Sequence, residues 1–140
     1  MGLTVLSEKE PRSADLYAEH RKSGFFSLAG FSSETPSILR VILDKGSIVG
    51  LLSSHKKWTE GEVSAFVPAW GVKRGYMRTV LPIAREFIMD HPKSSILISH
   101  VMVRHPILAR NYLASKIALG RLGFTTTASN EYCDIVTRRV

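Results

Sequence analysis

The stretch SILRVILDKGSIVGLLSS, residues 37–54, constrains the fold more than any other part of the chain. Two β-rich runs flank Asp44-Lys45-Gly46, and a glycine at that point supplies the positive φ that a short hairpin turn requires. A β-hairpin follows. After a polar turn at Lys56 to Gly61, EVSAFVPAW alternates Val63, Ala65 and Val67 against Glu62, Ser64 and Phe66, the pattern of a third strand. Pro68 has no N–H to donate and is expected to end regular ladder pairing there.

Beyond this sheet the period changes. Val80, Ile83, Ala84, Phe87 and Ile88 recur at three and four, which predicts a helix lying on a sheet. A proline is accommodated only in the first turn of a helix, so Pro82 places the start near Thr79, a good N-cap, with Gly75 three or four residues ahead of it. SSILISHVMV then reads as a buried strand. HPILARNYLASKIALGRLGF reads as a long helix with Pro106 in its first turn and Gly123 as its stop. FTTTASNEYCDIVTRRV closes the chain with β-prone residues. Upstream, SADLYAEHRKSGFF suggests a first helix with Ser13 as N-cap and Leu16, Ala18 and Phe25 among polar residues. The order is helix, hairpin, strand, helix, strand, helix, strand, an α/β arrangement with a crossover helix between Val67 and Ile96.

Composition narrows the setting. A chain of 140 residues, 44% hydrophobic and 22% charged, is the size of one folded domain, taken as residues 1–140, and is not of disordered composition. No apolar run approaches the roughly 18 residues of a membrane span, and residues 1–10 lack the pattern of a signal peptide. Cys133 has no second cysteine with which to form an internal disulfide. A cytoplasmic, reducing compartment is expected. The net charge of +7 favours an anionic partner: nucleic acid, an acidic protein surface or a phosphorylated cofactor.

These elements and their order resemble the GNAT superfamily of acyl-CoA-dependent N-acetyltransferases over about the whole chain. The resemblance is carried by the hairpin turn Asp44-Lys45-Gly46 with Ile48-Val49-Gly50 after it, by Phe66-Val67-Pro68 at a strand end, by a basic Gly-containing loop, and by Leu122-Gly123-Phe124 closing the last helix. It implies a mixed sheet in a single domain, with helices on both faces and a central pair of parallel strands around Phe66 and Leu97. That pair is expected to splay where acetyl-CoA enters, and the 79–90 helix to pack through Val80, Ile83, Phe87 and Ile88.

The same resemblance implies site residues. In AWGVKRGYMRTVLPIAREF, residues 69–87, it makes Val67, Lys73, Arg74, Gly75, Tyr76 and Arg78 the cofactor-binding group, because a pyrophosphate at a helix N-terminus meets several unpaired N–H donors and a partial positive charge. Val72 and Met77 stand where the family carries a basic or amide residue and a second small residue, so a solvated basic turn is the competing reading. On the last helix, Asn111 and Ser115 are candidates for cofactor contact. Counting back from Gly123 places Tyr112 at the position of the family's Asn and Leu119 at that of its Tyr; Tyr112 is the candidate general acid, an amphipathic packing residue being the alternative.

Removing a proton from an amine before it attacks a thioester requires a base. Glu62, at the start of the third strand, is the candidate by position, and His100 belongs to the strand beside the cleft. His91, His100 and His105 have no metal-ligand spacing, and no metal is expected. Cys133 is read as a buried structural thiol, and Trp58 and Trp70 as core anchors or substrate-shaping aromatics. Three functions are consistent with this: acetyl transfer from acetyl-CoA to a primary amine; a catalytically eroded GNAT-like structural or interaction module, as in a bacteriophage virion; and a basic nucleic-acid-binding domain, for which no recognition motif is present.

Overall fold

A computed structural model of the chain describes residues 3–21, 34, 36–56, 63–69, 76–102 and 112–140. In chain order the elements are β1 (Leu3–Ser7), α1 (Pro11–His20), β2 (Ile38–Asp44), β3 (Ser47–Lys56), β4 (Val63–Ala69), α2 (Tyr76–Met89), β5 (Ile96–Met102), α3 (Tyr112–Arg121), β6 (Thr125–Ser129) and β7 (Cys133–Arg139). The strands form one mixed sheet in the order β1-β2-β3-β4-β5-β7-β6.

The hairpin is as the sequence predicts. Asp44 pairs with Ser47 around Lys45 (φ 51) and Gly46 (φ 84), a two-residue turn of the type whose twist matches the strands it joins. The register then slips between Ile42 and Leu43, leaving Val49 as an extra residue on β3.

Two crossovers, β4 to β5 through α2 and β5 to β6 through α3, step across the sheet in the same direction. Right-handed connection therefore places both helices on one face. The core agrees: Val80, Leu81, Ala84, Phe87 and Ile88 of α2 share a cluster with Ala118, Leu119 and Leu122 of α3 and with Phe66, Leu97, Val101 and Val136 from the strands. Phe66 lies at its centre, its ring 5.7 Å from that of Phe87 and 5.6 Å from that of Phe124. On the opposite face α1 lays Tyr17 and Leu16 against Leu39, Val41, Leu43 and Leu51. Helices thus cover both faces.

The structure corrects several expectations. A strand, β1, precedes the first helix, and the C-terminal stretch is a hairpin of two strands, β6 and β7. Ser13 is not an N-cap: α1 starts with Pro11 after Glu10, whose carboxylate turns back to accept from the backbone N–H (2.6 Å) and hydroxyl (2.7 Å) of Ser7, and Ser13 lies inside the helix with its hydroxyl buried and unpartnered. Pro68 does not end the ladder, since β4 pairs with β3 through Pro68↔Leu52 to Ala69↔Leu51; the proline is accommodated because β5 has by then left the other side of β4. Finally, α2 begins at Tyr76, a turn earlier than Pro82 suggests. The added turn sets Met77 against the core, and Pro82 is on the exposed side, where the Arg78 carbonyl that loses its partner faces water. Cys133, half-buried in β7, is less enclosed than expected. Phe25, Trp58, Trp70, His105 and Pro106 lie outside the described residues.

α3 ends as its Gly implies. Gly123 has φ +88, and bonds from Phe124 N–H to the Leu119 carbonyl (3.0 Å) and from Gly123 N–H to the Gly120 carbonyl (3.0 Å) close its last turn. Arg138 adds a third donor there, Nη1 to the Leu122 carbonyl at 2.8 Å.

Candidate functional site

β4 and β5 run parallel through the rungs Val63↔Ile96, Ser64↔Leu97 and Ala65↔Ile98, and then part. Beyond that point each stays bonded on its outer side, β4 to β3 (Val67↔Ser53) and β5 to β7 (Ser99↔Val136 through Met102↔Cys133). The inner edges, Phe66–Ala69 and Ser99–Met102, face one another without a ladder. Backbone N–H and C=O groups within a sheet need partners, so this slot suits a slender ligand that carries its own amides.

At the open end stands the start of α2. Its first N–H groups have no partner within the helix, and its first turn holds no acidic side chain and the exposed Arg78. The correction to the helix start matters here, because Gly75 directly precedes the helix. The second wall is braced by α3: the buried Asp134 of β7 accepts from the Lys116 ammonium at 2.8 Å and from the Ser129 hydroxyl at 2.6 Å.

Of the residues singled out in the sequence, the structure places Val67, half-buried, on the open part of β4, Arg78 in the first turn of α2 and Ser115, half-buried, in the first turns of α3. Tyr76 and Tyr112 open α2 and α3, but their side chains, like Glu62, Lys73, Arg74, Gly75 and Asn111, are outside the described residues. Leu119 is buried in the core, so the site takes no acid from that position. His91 is a core residue, its Nε2 2.8 Å from the Ser54 hydroxyl. His100 is exposed on β5 beyond the last parallel rung, and by strand alternation against the buried Leu97 and Val101 it lies on the face opposite α2. Among the described residues no group of three His, Cys, Asp or Glu side chains could hold a metal, and no helix is long and apolar enough to cross a membrane.

Sequence reasoning missed one polar cluster. On the α1 face, the Tyr17 hydroxyl lies 3.4 Å from His55 Nε2 and also meets the Ser53 side chain, all three residues being buried. Burial pushes the Tyr17 phenol up to about 12, against the opposing pull of Arg21 and the Ser53 bond. Ser53 and His55 follow Leu51 at alternate positions of β3, which is the signal in the sequence: a strand face that turns from apolar to polar along its length.

No protein-family model and no curated protein matches this sequence. Solved structures do. The acetyltransferase of GNAT family from Streptococcus pneumoniae superposes with a TM-score of 0.63 at 16% identity, over 99% of this chain and 99% of that one. The protein yncA from Salmonella typhimurium, solved with its cofactor acetyl-CoA, gives 0.62 at 12% over 99% and 94%. The N-acetyltransferase PseH from Campylobacter jejuni gives 0.58 at 12% over 99% and 99%. The chain has the GNAT acetyltransferase fold.

Proposed function

We propose that this protein is an N-acetyltransferase that moves the acetyl group of acetyl-CoA to a primary amine. The observation that carries the reading is the three-rung parallel pair that opens at Phe66 and Ser99 with the N-terminus of α2 at its mouth. Acetyl-CoA fits both parts: its two amides match the unpaired strand edges, and its phosphates match a helix start without acidic residues. When bound, it supplies an activated thioester. Lys73, Arg74 and Arg78 neutralise the phosphates, with Gly75 and Tyr76 offering backbone N–H groups; Val67 lines the slot, Ser115 borders it from α3, and Asn111, which precedes that helix in the sequence, is assigned a cofactor contact. For proton transfer the sequence offers Glu62 as base and Tyr112 as acid. The other two readings draw no support from the comparisons, since the matched proteins described above are acetyltransferases.

A thermal-shift titration with acetyl-CoA and CoA, followed by transfer assays on spermidine, an amino sugar and a lysine-containing peptide, tests the reading. A melting temperature that climbs with the logarithm of ligand concentration supports it. Replacing Lys73, Arg74 and Arg78 together by Ala should abolish the climb and leave the ligand-free melting temperature nearly unchanged, because exposed charges stabilise little. A wild-type protein that binds neither ligand overturns the reading.

A further inference from the structure

The slot between β4 and β5 has two faces, and they differ in what closes them. On the α2 side its first open position is taken by Phe66, whose ring packs on Phe87 and Phe124, and by the buried Ser99, with the buried Leu97 and Val101 on either side of it along β5. On the other side the apolar cluster beneath α1 reaches Val67 and Ala69 of β4 and goes no further. Across the gap on that side Ile98 is half-buried and His100 is exposed, and neither belongs to a hydrophobic cluster. An amine therefore approaches from the α1 side.

The direction of the ligand decides which level of the slot holds the reacting carbon. Acetyl-CoA is linear, with its phosphates at one end of the pantetheine arm and its thioester at the other. Phosphates at the start of α2 stand at the open end, so the thioester lies toward the converging end, at the first open position between Phe66 and Ser99. His100 is the next residue of β5, about 3.3 Å further along the strand, on the face from which the amine comes. The described side chains on that face are Ala65, Val67 and Ala69 of β4 and Ile98 and His100 of β5. Of these the imidazole alone can take up a proton, and imidazoles do so at neutral pH.

We propose that His100 is the general base of the reaction, taking the proton of the acceptor amine as its nitrogen attacks the thioester. This rests on the acetyl-transfer reading above and gives His100 the task for which the sequence offered Glu62. Val63, the residue after Glu62, is already three residues, about 10 Å, behind the first open position, where β4 and β5 are still bonded together. In the step, the amine lone pair attacks the thioester carbonyl carbon and a C–N bond forms. An N–H bond of that nitrogen breaks as its proton passes to the free ring nitrogen of His100. The C–S bond breaks, CoA leaves as its thiolate, and the imidazolium releases its proton to water. His100 is open to solvent, so the proton has a way out.

The test measures kcat, KM for the amine and acetyl-CoA affinity in His100→Gln, His100→Ala and Glu62→Gln, with the best amine of the panel above. Because His100 is exposed, its two variants should keep the wild-type melting temperature. His100→Gln should lower kcat about a hundredfold, the scale of lost proton transfer, with acetyl-CoA affinity unchanged. Added imidazole should restore part of the rate in His100→Ala. Independently of turnover, diethyl pyrocarbonate should modify His100, read by peptide mass, and saturating acetyl-CoA should slow that modification. A His100→Gln protein that turns over like wild type overturns the proposal and leaves acetyl transfer standing, and a loss in Glu62→Gln then returns the base to that carboxylate. Modification of His100 at one rate with and without bound acetyl-CoA overturns it as well. A wild-type protein that binds no acetyl-CoA overturns both readings.

Discussion

His91 and Ser54 tie α2 to the sheet: the imidazole Nε2 accepts from the Ser54 hydroxyl at 2.8 Å, while Nδ1–H donates to the carbonyls of Phe87 (3.0 Å) and Ile88 (3.1 Å). The carbonyls can only accept, so the tautomer is settled. Burial holds the ring's pKa below its usual value, although the two carbonyls and Asp90 pull it upward. The neutral ring is therefore the form that fits the fold. Its contribution is complete above the unfolded value of about 6.5 and is lost as pH falls through that value and the lower folded one. Melting temperature measured from pH 8 to 5 should fall on the acid side, and His91→Gln should flatten that part of the curve. An unchanged slope in the variant would assign the acid sensitivity elsewhere.

Two glycines with left-handed backbones form a matched pair. Gly46 (φ +84) would present a new methyl group to open space, whereas at Gly123 (φ +88) it would meet Arg138 Nε at 3.1 Å. Both alanine variants incur the backbone strain of about 1 to 2 kcal/mol. Gly123→Ala should be the worse, because the Arg138 side chain must also give by a few tenths of an ångström, loosening its cap on the Leu122 carbonyl. Urea denaturation of the two variants gives the comparison directly; equal losses would show that the Arg138 cap contributes nothing.

Ser13 is a helix-interior serine whose buried hydroxyl has no partner. Its removal costs no bond and relieves a desolvated donor, and alanine is the better helix former. Ser13→Ala is expected to stabilise the protein by about 1 kcal/mol, read as a rise of a few degrees in melting temperature. A loss of stability would mean that the hydroxyl is partnered in solution.

Pro82 interrupts α2 at its seventh residue. Pro82→Ala returns a donor to the Arg78 carbonyl and should stabilise by about 1 to 3 kcal/mol. Acetyl-CoA affinity should hold, since the N–H groups offered to phosphate precede the proline. A weaker affinity in a more stable variant would mean that the irregular turn shapes the phosphate site.

Elements whose residues speak through local pattern were legible in the sequence: the hairpin at Lys45-Gly46, the stripe from Val80 to Ile88 and the glycine stop at Gly123. β1 was not, because Leu3–Ser7 shows its alternation only once β2 lies beside it, Leu3 opposite Asp44 and Ser7 opposite Arg40. Pro68 and Pro82 misled for a related reason. The penalty for a missing N–H depends on what would have received it: the departure of β5 is not encoded near Pro68, and the stripe from Val80 to Ile88 leaves Pro82 off the buried face without fixing where the helix starts. At the site, the slot followed from the crossover, whereas the meeting of Tyr17 with His55, 38 residues apart, depends on where α1 crosses the sheet. Arg40 is a similar case: its guanidinium joins Glu8 (3.1 Å) to Asp90 and lies 5.4 Å from the centre of the Phe87 ring, linking three elements that no local pattern relates.

An ordinary sheet presents unpaired amides at its two outer margins, where a neighbouring molecule can add a strand and begin to aggregate. The parting of β4 from β5 gives this sheet two further margins, turned inward on each other. They converge to bonding distance at Ala65 and Ile98, so the space between them tapers to nothing and a passing polypeptide cannot lie along it. Sealed at one end and flanked by helices, these amides are sheltered from self-association and available only to something thin enough to enter lengthwise.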